Sequence, residues 1–333
     1  MNYLPKNLNF KEGIAYIGET SLTDVAKNYG TPLYVYDWEH LKGNIDAFTE
    51  AFGKDALFRY AAKAFISKAL VKELDEKGWG IDVVSGGEMA TVQETVGTLE
   101  NTVFNGTFKR ADEIEYFIQN NGGHISIDNR YEIEMLEKTA SSLKKKQPVI
   151  MRINLDVGAE THPMVLTSGY DQQFGISISF AEEALNQIAS SKSLLFSGIH
   201  VHIGSQIKDP ERYKLAMSSC SEFMNSNLEK VEGEAVFNAG GGFFSPYAGE
   251  EVDHELSVYS KAIHDGIKEH WEEGYKIMIE PGRALVNNPG VILYTAGAIK
   301  ADRGDKPYIL VDGGMSDNPR PALYGSEHKL FNI

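Results

Sequence analysis

The sequence predicts an α/β protein: a (β/α)8 barrel of the TIM type, joined to a second, incomplete antiparallel β domain built from both chain ends. Three observations carry this. Between about Ala56 and Glu280, short β-rich runs alternate with amphipathic helical runs, a pattern that calls for parallel strands joined by right-handed crossovers. Roughly eight such units in about 225 residues suit a closed barrel, with an open doubly wound sheet as the alternative. Outside that stretch, strand-like runs follow one another without helices between them. The resulting division is residues 1–36 as N-terminal strands of the β domain, 37–283 as the barrel and 284–333 as the remainder of the β domain.

In chain order, Ile14–Ile17 and Leu33–Tyr36 read as strands of the outer domain. The barrel runs are Leu57–Ala62, Gly80–Val84, Thr102–Phe104, His124–Ile127, Val149–Asn154, Phe196–Ile203, Ala235–Asn238 and Lys276–Ile279. Each is rich in β-branched or aromatic residues and short enough for a buried parallel strand. Ser67–Lys77, Arg110–Asn120 and Arg130–Lys145 carry helical spacing between them. The longest connection, Leu155 to Gly175, reads as an active-site loop, because long ordered loops usually serve function. Val291–Ala298 and Tyr308–Val311 close the outer domain.

The chain has 333 residues, 42% hydrophobic and 24% charged, with a formal net charge of −15. That is enough chain for a barrel and a smaller unit. The acidic balance argues against nucleic acid and anionic membranes as partners, since phosphate binding needs clustered Lys and Arg. No apolar run approaches a membrane span, and Met1–Phe10 lacks the apolar core of a secretory signal. The lone cysteine, Cys220, cannot form an intramolecular disulfide and fits a reducing cytoplasm. Its place in a helical stretch, Pro210 to Glu229, suits a buried apolar role.

In a barrel, chemistry gathers at the C-terminal strand ends. The first strand leads into Lys63, flanked by small residues; partial burial would make its amine a competent Schiff-base former, while the plainer reading is a surface lysine before a helix. The second leads into Ser85-Gly86-Gly87-Glu88, either a ligand-facing turn or a helix cap. The sixth carries His200 and His202 on one face. They suit a metal pair, with Asp82 and Glu280 as further ligands, or a ring stacked on a flat cofactor with Ser205 at a phosphate. Gly240, Gly241 and Gly242 follow the seventh strand and could offer backbone N–H groups to a phosphate. Glu280 ends the eighth, where an ionised carboxylate could keep a pyridine nitrogen protonated. Arg283 can engage a carboxylate or phosphate through its fork. Downstream, Arg320 and Tyr324 could read an amino-acid substrate. A pyridoxal 5′-phosphate cofactor accounts for all these groups at once, whereas a metal accounts for only the histidines and carboxylates.

The motifs YAAKA, HVHIGSQ, GGGF, EPGR and DGGMSDNPRPALYG resemble those of the fold type III pyridoxal-phosphate enzymes, the alanine racemase and ornithine decarboxylase superfamily. Within it they resemble the diaminopimelate decarboxylases, from about Leu33 to Tyr324. The resemblance implies the cofactor on Lys63, His202 on its ring face, Ser205 and Gly240–Gly242 at its phosphate, Glu280 at its ring nitrogen and Arg283 at cofactor or substrate. Lys63 and His202 would be catalytic, and Arg283, Arg320 and Tyr324 would bind substrate. It further implies decarboxylation of meso-2,6-diaminopimelate to L-lysine by a cytoplasmic homodimer with shared active sites. Alanine racemases resemble this chain less, having Arg where Glu280 stands. The family pattern also has a later segment, with a catalytic Cys in Cys-Glu-Ser-Gly-Asp and a Tyr at the phosphate, which is not in this sequence, and often a Lys where Gln173 stands. An inert cofactor-binding fragment and a metal-dependent hydrolase using His200 and His202 are the competing readings.

Overall fold

The structure, a computed structural model, describes residues 3–155, 173–251, 254–301 and 306–333. The chain divides into two units. Asp46–Phe244 with His254–Arg283 form one, and Met1–Ile45, Ser245–Asp253 and Ala284–Ile333 form the other.

The larger unit is a closed barrel of eight parallel strands: Leu57–Ala61, Gly80–Val83, Thr102–Phe104, His124–Ile127, Gln147–Asn154, Leu194–His200, Ala235–Asn238 and Tyr275–Ile279. They are the eight runs expected from the sequence, with ends shifted by at most three residues. Closure is seen in two registers: Met278 opposite Leu57 joins the eighth strand to the first, and Ile125 opposite Val149 joins the fourth to the fifth. One interior layer is formed by Val103, Ile150 and Val236 from the third, fifth and seventh strands, with Leu57 of the first packed against them and Met278 beside them. Residues from alternate strands sharing a layer is how a barrel of this size fills its centre.

The helices start where side chains can cap them. Ser67, Ser85 and Asn129 accept hydrogen bonds from the amides of Leu70, Glu88 and Glu132, opening helices Lys68–Glu76, Gly86–Val96 and Arg130–Ser142. Cys220 lies fully buried in helix Glu211–Asn225, and burial pushes its thiol well up.

The smaller unit holds three small antiparallel sheets: Leu8–Lys11 with Ile14–Ile17 and Thr20–Ser21, Leu33–Tyr36 with Gly290–Leu293, and Ala296–Lys300 with Tyr308–Val311. The second joins the two chain ends, Leu33 opposite Leu293. Two expectations need correction. Val291–Ala298 is not one strand; the pairing breaks after Leu293 and resumes at Ala296 with a register shift. The unit also has helices, which the strand-only reading omitted. Helix Leu22–Tyr29, capped by Ser21, packs Leu22, Val25 and Ala26 against Ala15 and Leu293. Its eight residues are too few for a clear helical period, so the strand-like flanks dominated. Most of the Leu155–Gly175 connection, read as an active-site loop, lies outside the described residues.

Glycine supplies the closest backbone approaches of the barrel. A Cβ added at Gly198 of the sixth strand would stand 1.9 Å from the Val236 carbonyl oxygen of the seventh. Both partners are strand backbone and cannot swing aside, so Gly198→Ala should destabilise the barrel by about 2 kcal/mol or more. A thermal melt checks this; an unchanged midpoint would show that the two strands are not in such close contact.

Candidate active site

The C-terminal ends of the barrel strands carry a buried polar cluster centred on Glu280, which follows the eighth strand and is 4% exposed. Its Oε1 accepts from Asn105 Nδ2 at 2.8 Å and from Asn238 Nδ2 at 2.7 Å. Its Oε2 lies 3.4 Å from His200 Nε2, an ion-pair distance without hydrogen-bond alignment. His200 Nδ1 is 2.9 Å from Ser126 Oγ, and Asn105 also donates to Asp82 Oδ1 at 2.8 Å. Strands two, three, four, six, seven and eight thus all contribute to one network.

The electrostatics follow from burial and pairing. Burial pushes the Glu280 carboxyl up, but His200, the Asn238 amide and the charge of Lys63 more than reverse this and hold it well below the usual carboxylate range. Asp82, equally buried, is pushed up to about 7, first by burial and then by the charge of Glu280. Burial, followed by the positive charges of Lys63 and Arg152, lowers His202 to about 3. His200 is lowered chiefly by burial. The His202 imidazole is therefore neutral near pH 7.

Lys63 sits in a single turn, Ala62–Ala64, directly after the first strand, and is exposed. Two bonds fasten that turn: Ala61 N donates to Pro281 O at 3.0 Å, and Tyr60 Oη donates to Phe65 O at 2.7 Å. A Cβ at Gly282 would stand 3.1 Å from Ala61 Cβ and 3.3 Å from Ala64 Cβ. The small residues around Lys63 and the glycine of EPGR are thus two sides of one contact. The charge of Lys63 acts on Asp82, Glu88, His200, His202 and Glu280, so these predicted groups share one strand-end face.

The glycine loop is built against the same residues. Gly240 has φ +67° and Gly242 φ +97°, values that favour glycine. A Cβ at Gly240, Gly241 or Gly242 would come within 2.5 Å of the carbonyl oxygens of Val201, Glu280 or Gly204 respectively. Two of the three amides expected to face a phosphate are already engaged. Gly240 N donates to Asn238 Oδ1 at 2.9 Å, and Gly241 N to His202 Nδ1 at 3.3 Å. The second bond assigns Nδ1 of His202 as acceptor. Ser205 is exposed at the edge of this loop and Arg283 is half-buried after the eighth strand.

Arg320 and Tyr324 lie in the other unit, on the short helix Arg320–Tyr324. There the Arg320 guanidinium stacks 4.8 Å over the Tyr324 ring and 5.5 Å over Tyr247. Ser85 and Glu88 resolve toward the plainer reading: Ser85 caps its helix, and Glu88 accepts from Val84 N at 2.6 Å. His200 Nδ1 lies beside Ser126 Oγ and His202 Nδ1 accepts from Gly241 N, and among the described residues no group of three His, Cys, Asp or Glu side chains is placed to hold a metal ion. Asn105, Ser126 and Asn238 went unassigned in the sequence; a polar residue at a barrel strand end was the signal available for each.

These groups fit a pyridoxal phosphate. An ionised carboxylate suits a protonated ring nitrogen and a neutral imidazole suits a ring face, and the glycine backbone folds closely against the same residues. Residues 39–287 match the family described as pyridoxal-dependent decarboxylase, pyridoxal binding domain, and the chain belongs to that class of barrel enzyme. It is 35% identical to the diaminopimelate decarboxylase of Bacillus subtilis (strain 168) over 96% of this chain and 75% of that one. With the Aquifex aeolicus (strain VF5) protein of the same name it shares 32% over 98% and 76%. A crystal structure of diaminopimelate decarboxylase from M. jannaschii in co-complex with L-lysine superposes with a TM-score of 0.89 at 30% identity, covering 97% of this chain and 77% of that one. The chain belongs to the diaminopimelate decarboxylase family.

The neutral His202 gives a pH prediction. A histidine lowered in the folded state leaves the unfolded chain binding the extra proton, so its stabilising effect is present above about pH 6.5 and is lost as pH falls. His202 acts over the window from about 6.5 to about 3, and Asp82, raised to about 7, acts with the opposite sign. In cofactor-free protein, His202→Gln should make the acid-side loss of stability shallower by roughly 1.4 kcal/mol per pH unit below pH 6. Denaturant unfolding at pH 7, 6 and 5 measures it; identical slopes would mean His202 is not held neutral.

Proposed function

We propose that this chain catalyses the pyridoxal-phosphate-dependent decarboxylation of meso-2,6-diaminopimelate to L-lysine. The observation that carries the reading is the buried, ionised Glu280 facing Lys63 and a neutral His202. The activity named for the B. subtilis and A. aeolicus relatives supports the substrate.

When bound, the cofactor supplies an electron sink, a protonated ring that accepts the electron pair left as carbon dioxide departs. Lys63 Nζ would hold its carbonyl carbon and release it to the substrate amine, moving a proton at Nζ in the exchange. Glu280, acceptor-only and fixed by two asparagine amides, would keep the proton on the ring nitrogen. His202, its Nδ1 occupied by Gly241, would cover one ring face. Gly240–Gly242 and Ser205 would hold the phosphate, with Gly242 and Ser205 bearing more of it because the Gly240 and Gly241 amides are engaged. Arg283 would take a charged end of the substrate, where a guanidinium fork matches a carboxylate. The carbon that loses carbon dioxide must gain a proton, and the buried thiol of Cys220 is not placed to give it.

We further infer a cytoplasmic homodimer with shared active sites. The single, buried Cys220 suits a reducing compartment, and no helix among the described residues is long and apolar enough to cross a membrane. Sedimentation of the purified protein tests the dimer.

The reading predicts carbon dioxide release from meso-diaminopimelate and little from ornithine or arginine under the same conditions with added cofactor. Lys63→Ala should lower turnover roughly a thousandfold or more and abolish borohydride-stable labelling of the Lys63 peptide. Cofactor-loaded protein that releases nothing from meso-diaminopimelate would refute the substrate, and labelling at another lysine would refute the attachment site.

A further inference from the structure

Asp82 takes no part in the reaction as described, yet it is fully buried, lies in the strand-end network and faces the charge of Lys63. Asn105 ties it to Glu280, because one amide nitrogen donates to Asp82 Oδ1 and to Glu280 Oε1, each at 2.8 Å. Two carboxyls that share a single amide nitrogen cannot both ionise without strong repulsion in a buried site. Their surroundings decide which one holds the charge. Glu280 has two asparagine donors on Oε1 and His200 beside Oε2. Asp82 has only Asn105, and its Oδ2 is buried without a hydrogen-bond partner among the described residues. Leaving half of an ionised carboxylate buried and unpartnered costs more than leaving a neutral hydroxyl there.

We propose that Asp82 is a positioning residue of this active site, carrying the one proton of the Asp82–Glu280 pair so that Glu280 is the carboxylate that stays ionised. The idea rests on the reading of Glu280 as partner of the ring nitrogen. A second ionised carboxylate at Asn105 would compete for the same donor and raise the proton affinity of Glu280, the group whose charge the ring requires. A neutral acid at position 82 keeps the polar network in place without adding that charge. The other charged groups facing Asp82 are Lys63, which favours its ionised form, and Glu88, which opposes it.

Infrared spectroscopy of the holoenzyme across pH 5–10 tests this, because a protonated carboxyl buried among fixed donors gives a sharp C=O band that ionisation removes. The wild type should show one such band that disappears on alkaline titration. Asp82→Asn should lack it. Glu280→Gln should keep it but shift its midpoint to lower pH, since the repelling charge is gone. Asn105→Ser should shift the midpoint upward, since the donor to ionised Asp82 is lost. Should Asp82→Asn fail to fold, the opposite shifts of the other two variants carry the test, and a residue that merely filled space would produce neither. A band that persists in Asp82→Asn, a wild type without the band, or midpoints unmoved in Glu280→Gln and Asn105→Ser would overturn the proposal. Cofactor loading is followed separately by visible absorption and by labelling of the Lys63 peptide. A loaded enzyme without the band sinks the assignment of the proton alone, whereas a protein that takes up no cofactor sinks the reading beneath it as well.

Discussion

The constraint on which the rest of the structure depends is a negative charge kept in a buried place. A carboxylate removed from water returns to its neutral form unless donors replace the solvent. Glu280 has those partners because the barrel brings different strand ends to one level: the amides of Asn105 after the third strand and Asn238 of the seventh donate to it, and the His200 ring of the sixth lies beside it. None of these is near Glu280 in sequence; Asn238 lies on the strand paired with the eighth, and closure of the sheet brings Asn105 and His200 to the same carboxylate. The fold is therefore part of the electrostatics, since an open sheet would leave the first and last strands apart and solvent between the donors.

The same closure explains residues that look unremarkable one at a time. The Lys63 turn rests on the EPGR segment through Ala61, Ala64 and Gly282, and the glycine loop rests on His202 and the Glu280 carbonyl. Small residues occur where backbone meets backbone, and they set the distance between the amine, the imidazole and the carboxylate. A larger side chain at Gly241 would not merely fill space; it would press on the Glu280 backbone, which itself donates to Gly240 O at 2.7 Å.

Much of this was legible in the sequence. The eight barrel strands announced themselves because parallel strands buried on both faces read as short unbroken apolar runs. Lys63, His202 and Glu280 could be nominated because each ends such a run. What could not be read is the bonding between distant strand ends. In the sequence Asn105 is only the residue after a strand run and Asn238 the last residue of one, since their significance is a shared acceptor that lies 175 and 42 residues away along the chain. The glycine triplet misled in part for the same reason: sequence shows that three amides are present but not that Asn238 and His202 use two of them. The outer unit was read less well, because its strands are four residues or fewer in most cases and its helix Leu22–Tyr29 is too short to display a period.

A polar network this dense weakens a core unless something beneath it is dry and well packed, because each buried donor or acceptor left unpaired costs about 1–3 kcal/mol. Here the apolar layer of Val103, Ile150, Val236 and Met278 lies in the same strands that carry the polar ends. Glu280 follows Met278 of the eighth strand by two residues, as Asn238 follows Val236 on the seventh and Asn105 follows Val103 of the third. The period of two keeps each such pair on the same inward face. Each strand thus contributes apolar area below and a hydrogen-bonding group above. Sequence changes that shift a strand by one residue would exchange both at once, placing polar groups in the dry layer and removing donors from Glu280. Register in the barrel is for that reason constrained twice, by packing and by the charge, and the chemistry at the mouth is inseparable from the fold that holds it.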